Sequence, residues 1–70
     1  MGVTVNVELI EKERKFRNYT LYRMAEELNY KGESTYYNKV TGHRSFTIKD
    51  IAMISEVLSI KLEDLIMVSK

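Results

Sequence analysis

Along most of the chain apolar residues recur at helical spacings, the mark of short amphipathic helices, and they alternate strictly in only one place. The first helix is expected from about Asn6 to Arg17. Asn6 is placed to cap it, Glu8 suits its positive end, and Asn18 ends it. Thr20 can cap a second helix whose Leu21, Met24, Ala25 and Leu28 form one stripe. Asn29, Tyr30, Lys31 and Gly32 break that pattern. Gly32 is the expected site of a positive φ, and Asn29 is the next most tolerant type. A third, short helix follows from Glu33 or Ser34 to Thr41, with Tyr36 and Val40 inward and Gly42 as a left-handed stop. Beyond the polar loop from His43 to Ser45, Thr47 and Asp50 read as an N-cap with an acidic third position, opening a fourth helix that runs through Leu58. Lys61 to about Met67 makes a fifth, its apolar contacts being Leu62, Leu65 and Ile66. The alternation of Val3, Val5 and Val7 is a lone strand signal, expected to fray unless it finds a partner.

Seventy residues make one domain, and a domain of this size buries only about 60% of its unfolded surface. Every apolar stripe is therefore needed. The absence of cysteine removes disulfides and most zinc sites, and the single His43 makes no metal site, so packing and partners must supply the stability. No apolar run approaches the roughly 18 residues that span a bilayer. The start, MGVTVNV, lacks the basic and long apolar regions of a secretion signal, so a cytoplasmic protein without a membrane role is expected. There is no Ser/His/Asp order, no glycine-rich phosphate loop and no inward acidic pair. We therefore expect no enzyme activity, no cofactor and no small-molecule substrate. A net charge of +1 is low for a phosphate binder, but Lys31, Lys39, Arg44 and Lys49 concentrate positive charge mid-chain, opposed there by Glu33.

The informative unit spans about residues 20–42. With Tyr36 and Val40 on the core side at about 100° per residue, Ser34 and Asn38 point away from it. Tyr37 and Thr41 flank one side, and Thr35 and Lys39 the other. A face of hydroxyls and an amide suits the DNA major groove, where Asn pairs with adenine through two hydrogen bonds and Ser or Thr serves several bases. Ser34, Tyr37, Asn38 and Thr41 are thus candidates for base readout. Thr20, Arg23, Lys31, Thr35, Lys39, His43 and Arg44 are candidates for phosphate contacts. On the fourth helix an inward face of Ile48, Ile51, Ala52, Ser55 and Leu58 leaves Met53, Ile54 and Val57 outside. With Ile66, Met67 and Val68 they form a candidate surface for a homodimer or another protein.

The string Ser34-Thr35-Tyr36-Tyr37-Asn38-Lys39-Val40-Thr41-Gly42, followed by Phe46-Thr47-Ile48, resembles the recognition helix and next helix start of phage Cro-like and repressor-like regulators. Met24-Ala25 with Leu28 resembles their second-helix core, and Leu58-Ser59-Ile60-Lys61-Leu62-Glu63-Asp64-Leu65 their closing segment. The resemblance covers nearly the whole chain. It implies an all-α, compact five-helix lambda-repressor-like domain with a helix-turn-helix, binding a double-stranded DNA operator through its third helix, as a transcription regulator of a phage-type switch. An alternative in the same size class is an antirepressor that forms a hetero-complex with a phage repressor protein. Under that alternative the face of Ser34, Tyr37 and Asn38 meets protein instead of bases.

Overall fold

Caps set the helix boundaries in the computed structural model, which describes the backbone of residues 2–69 and the side chains of residues 5–66. Helix α1 (Val7–Phe16) starts at Asn6, whose side chain accepts from the Leu9 amide. Helix α2 (Leu21–Glu27) starts at Thr20, which accepts from the Arg23 amide. Helix α3 (Glu33–Val40) opens at Gly32 with no side-chain cap. In α4 (Ile48–Leu58) Thr47 and Asp50 cap each other's backbone amides, the reciprocal pair expected from their spacing. A single turn, α5 (Leu62–Leu65), is the last of five helices among the described residues.

Three of these helices end the same way. Asn18, Asn29 and Ser59 adopt left-handed backbone with φ of 60°, 61° and 53°. The amide one residue later then reaches back to a helix carbonyl: Tyr19 to Arg14, Tyr30 to Ala25 and Ile60 to Ser55, each within 3.0 Å. The turn between α2 and α3 therefore pivots on Asn29 and not on Gly32, which is extended at φ −167°. Closing the hydrogen-bonded ring at the end of α2 requires the left-handed residue directly after Leu28. Gly42, at φ 91°, is the left-handed stop of α3 as expected.

The core gathers Ile10 from α1, Met24, Ala25 and Leu28 from and just after α2, Tyr36 from α3, Ile54 and Leu58 from α4, and Ile60 and Leu65 beyond. Ile54 is fully buried, which removes it from the partner surface proposed for it. Met53 and Val57 pack half-buried against the core, while Ile48 is 87% exposed and Ala52 is also outside. The face of α4 is thus rotated from the apolar pattern because a charged residue, Asp50, occupies the first inward position, one turn before Ile54 and two before Leu58.

At the ends of the chain β1 (Gly2–Val5) pairs antiparallel with β2 (Ile66–Ser69), in the register Val5 to Ile66 and Val3 to Val68. The Asn6 amide extends this ladder to the Leu65 carbonyl at 2.7 Å. The segment expected to fray is paired, and the fifth helix stops at Leu65, short of Met67. Extended backbone there gives β1 its hydrogen-bonding partner, which a further helical turn over residues 66–69 would take away. Ile66, from the proposed partner surface, is half-buried in this ladder, and the side chains of Met67 and Val68 lie outside the described residues. Among the described residues no helix is long and apolar enough to cross a membrane.

Candidate nucleic-acid interface

Helix α3 is eight residues long and packs on α2 more extensively than any other two helices pack together. Its apolar hold is thin, because only Tyr36 is buried and Val40 half-buried. Two charged networks grip it instead.

The first lies beneath the helix. The Tyr36 hydroxyl donates to Glu11 Oε2 at 2.6 Å, and Arg14 donates two N–H groups to the same carboxylate at 2.8 and 2.9 Å. A further Arg14 N–H reaches the Tyr19 carbonyl at 2.6 Å, tying the turn between α1 and α2 to α3. Burial, and then the Glu11 acceptor, push the Tyr36 phenol well above its ordinary pKa. Burial alone would raise the Glu11 carboxyl, but its hydrogen bonds from Arg14 and Tyr36 outweigh that and hold it low.

The second network joins α3 to α4. Lys39 Nζ lies 2.8 Å from Asp50 Oδ2, donates to the Ser45 carbonyl at 3.0 Å and sits 5.6 Å above the Tyr30 ring. The Tyr30 hydroxyl donates to Asp50 Oδ1 at 2.7 Å, and the Thr47 amide to Oδ2 at 2.8 Å. Burial would raise Asp50, but these donors, Lys39 foremost, carry it down to about 2. Burial and then the Asp50 hydrogen bond push the Tyr30 phenol up. Lys39 and Asp50 side chains are each only 10% exposed. Lys39, expected among the phosphate contacts, is thus an internal cation. Its ammonium is already neutralised and enclosed, and exchanging Asp50 for a phosphate would strand a buried carboxylate.

With these networks on the inner side, Ser34, Tyr37 and Thr41 are exposed and Asn38 is half-buried on the outer side. The Thr41 hydroxyl donates to the Tyr37 carbonyl at 2.8 Å, and its oxygen lies 2.9 Å from His43 Nδ1. The Thr41 hydroxyl is therefore engaged within α3 and its following loop. Thr20, Arg23, Lys31, His43 and Arg44 are exposed and Thr35 is half-buried. Arg23 pairs on the surface with Glu27 at 2.8 Å and covers the Tyr19 ring at 4.9 Å. Lys31 and Arg44 have no ion-pair partner among the described residues. The Arg44 amide donates to the Asn38 carbonyl at 3.0 Å, so the loop after α3 is pinned to the helix. Glu33, in the first turn of α3, is also exposed.

The sequence pattern gave no sign of Glu11 as the acceptor beneath α3 and read Asp50 only as a helix cap, not as the partner of Lys39. A carboxylate on an inward helical stripe was the available signal for Asp50. Beside the C-terminal end of α3 opens a groove of about 440 Å³, walled by Val5, Val7, Val40 and Phe46, with Arg44 among its lining residues.

No protein-family model, no curated protein and no solved structure matches the chain.

Proposed function

We propose that this protein is a sequence-specific double-stranded DNA-binding regulator, with α2 and α3 acting as a helix-turn-helix and α3 entering the major groove. The observation that carries the proposal is the division of α3 into two faces. Its inner face is clamped by Glu11, Arg14 and Asp50, and its outer face presents Ser34, Tyr37 and Asn38 without an exposed aliphatic side chain. Clamping favours readout, because a base-reading helix must hold its donors and acceptors in place before contact.

Asn38 is the principal reader, paired through its amide with an adenine edge, and Ser34 and Tyr37 extend the contact to neighbouring bases. Glu33 can accept from a cytosine amino group in the same groove. Thr20, Arg23, Lys31, His43 and Arg44 hold phosphates and set the register without specifying sequence.

The test is a selection from random duplexes followed by gel-shift titration. Asn38→Ala is expected to relax preference at one base pair, at a cost of roughly 1–3 kcal/mol on the selected site. Lys31→Ala is expected to weaken all sequences alike and to lower the salt slope by about one. Equal losses in both variants would contradict the assignment. A wild-type chain that shifts no duplex but co-elutes with a phage repressor would replace it with the antirepressor reading.

A further inference from the structure

We propose that Thr41 sets the tautomer of His43, so that the phosphate contact of His43 forms only when its imidazole is charged and DNA binding tightens as pH falls through the neutral range. The inference rests on the reading of α3 and its following loop as the DNA surface. The Thr41 hydroxyl has one proton and two close neighbours. One is the Tyr37 carbonyl at 2.8 Å, which can only accept, and the other is His43 Nδ1 at 2.9 Å. A hydroxyl oxygen held that close to a carbonyl oxygen must place its proton between them, the back-bond that threonine makes to the fourth preceding carbonyl of a helix. Only lone pairs are then left for His43, so Nδ1 must be the nitrogen that bears hydrogen. In the neutral ring Nε2 is left bare. His43 is exposed, and Nε2 has no hydrogen-bond partner among the described residues. A bare Nε2 and a phosphate oxygen are both acceptors and cannot bond. One proton taken from solvent onto Nε2 turns the ring into a cation with an outward N–H donor, and the bond from Nδ1 to Thr41 stays as it was.

The surroundings leave that charge to an outside partner. The charged groups on the elements that meet at this loop are Lys39 in the last turn of α3, Arg44 beside His43, Lys49 and Asp50 in the first turn of α4, and Glu8 in the first turn of α1. Lys39 and Asp50 neutralise each other in their pair, and among the described residues no carboxylate lies within ion-pair distance of His43, Arg44 or Lys49. A charged His43 thus joins a positive loop that lacks a counter-ion, which a phosphate backbone supplies. Protonation of the ring and binding of the duplex therefore strengthen each other by the same factor. Thr41, a candidate for base readout by its place on α3, becomes a positioning residue that acts through His43.

Two measurements on the full chain test this. Nitrogen NMR of the free, isotope-labelled protein at about pH 8 is expected to show Nδ1 of His43 protonated and Nε2 bare, a preference that Thr41→Val loses and Thr41→Ser keeps. Gel-shift titration at constant ionic strength, on a duplex selected by the wild type from random sequence, is expected to show binding about fivefold tighter at about pH 5.5 than at about pH 8. His43→Gln is expected to flatten that profile. Thr41→Val frees the neutral ring to carry hydrogen on Nε2, so it should bind more tightly than the wild type at the higher pH and shrink the difference to about twofold, while Thr41→Ser follows the wild type. A Thr41 with a merely structural role would instead lower affinity equally at both. Nε2 protonated in the neutral wild type, equal losses in Thr41→Val at both pH values, or a His43→Gln profile as steep as the wild type's overturns the proposal and leaves the DNA-binding reading standing. A chain that shifts no duplex at either pH overturns both.

Discussion

Asp50→Ala removes the centre of the network that fastens α3 to α4. It strands the Lys39 ammonium in a site where that side chain is only 10% exposed, with the Ser45 carbonyl as its remaining hydrogen-bond partner. It also leaves the Tyr30 hydroxyl and the Thr47 amide without their acceptor. Removing one partner of a buried pair costs about 3–5 kcal/mol, whereas removing both together is much cheaper because no charge is left uncompensated. The lost half of the capping box lies within that sum at about 1 kcal/mol. A chain of 70 residues has only about 3.5–10 kcal/mol of stability in total. Asp50→Ala is therefore expected to be barely folded at 25 °C. Combined with Lys39→Met it should recover, with a coupling between the two sites of at least about 2 kcal/mol. Urea titration followed by circular dichroism at neutral pH measures both. A loss below about 1 kcal/mol for Asp50→Ala, the size of an exposed ion pair, would refute the view that this pair clamps α3.

The same carboxylate makes stability depend on acid. Against the effect of burial, its hydrogen bonds hold Asp50 down to about 2 in the folded chain, below its unfolded value of about 3.9, so it contributes roughly 2–3 kcal/mol above pH 4 that is lost as pH falls toward 2. Glu11, also lowered, adds in the same direction, and Asp50→Asn should flatten the acid limb of the stability curve. At the other extreme Tyr30 and Tyr36 are both raised. Stability present below pH 10 should therefore decline as pH rises above the unfolded phenol value of about 10, and Tyr36→Phe should remove part of that decline. The two glycines flanking α3 should respond oppositely. Gly42→Ala, at φ 91°, should cost about 1–2 kcal/mol, whereas Gly32→Ser, at an extended and open N-cap, should gain a few tenths to about 1 kcal/mol. Thermal unfolding of the two variants checks the placement of the turn.

Local chemistry made most helix boundaries legible. The capping groups of Asn6, Thr20 and Thr47, the capping-box carboxylate of Asp50 and the left-handed stops at Asn18 and Gly42 each act within a few residues, and a sequence displays such signals directly. The inward placement of Tyr36 followed from one helical interval. What stayed hidden depends on distant partners. Nothing near Lys39 announces that its ammonium faces Asp50 across a turn, so it reads as a surface cation. Val3 and Val5 carry a strand pattern, but their partners lie more than 60 residues away. The inward face of α4 was misplaced because its apolar spacing alone leaves Asp50, read only as a cap, out of that face. In fact its carboxylate is satisfied inside, which puts Ile54 directly in line with the core.

The proposed DNA-binding surface is the outer side of α3, with the exposed groups at the start of α2 and after α3. Titration of the isotope-labelled chain with a short duplex, followed by amide chemical shifts, tests it residue by residue. Shifts concentrated at Thr20, Arg23, Lys31, Ser34, Tyr37, Asn38, His43 and Arg44, and reversed by added salt, are the expected result. Amides that stay put along α3 while another face responds, or no response at low salt, would contradict it.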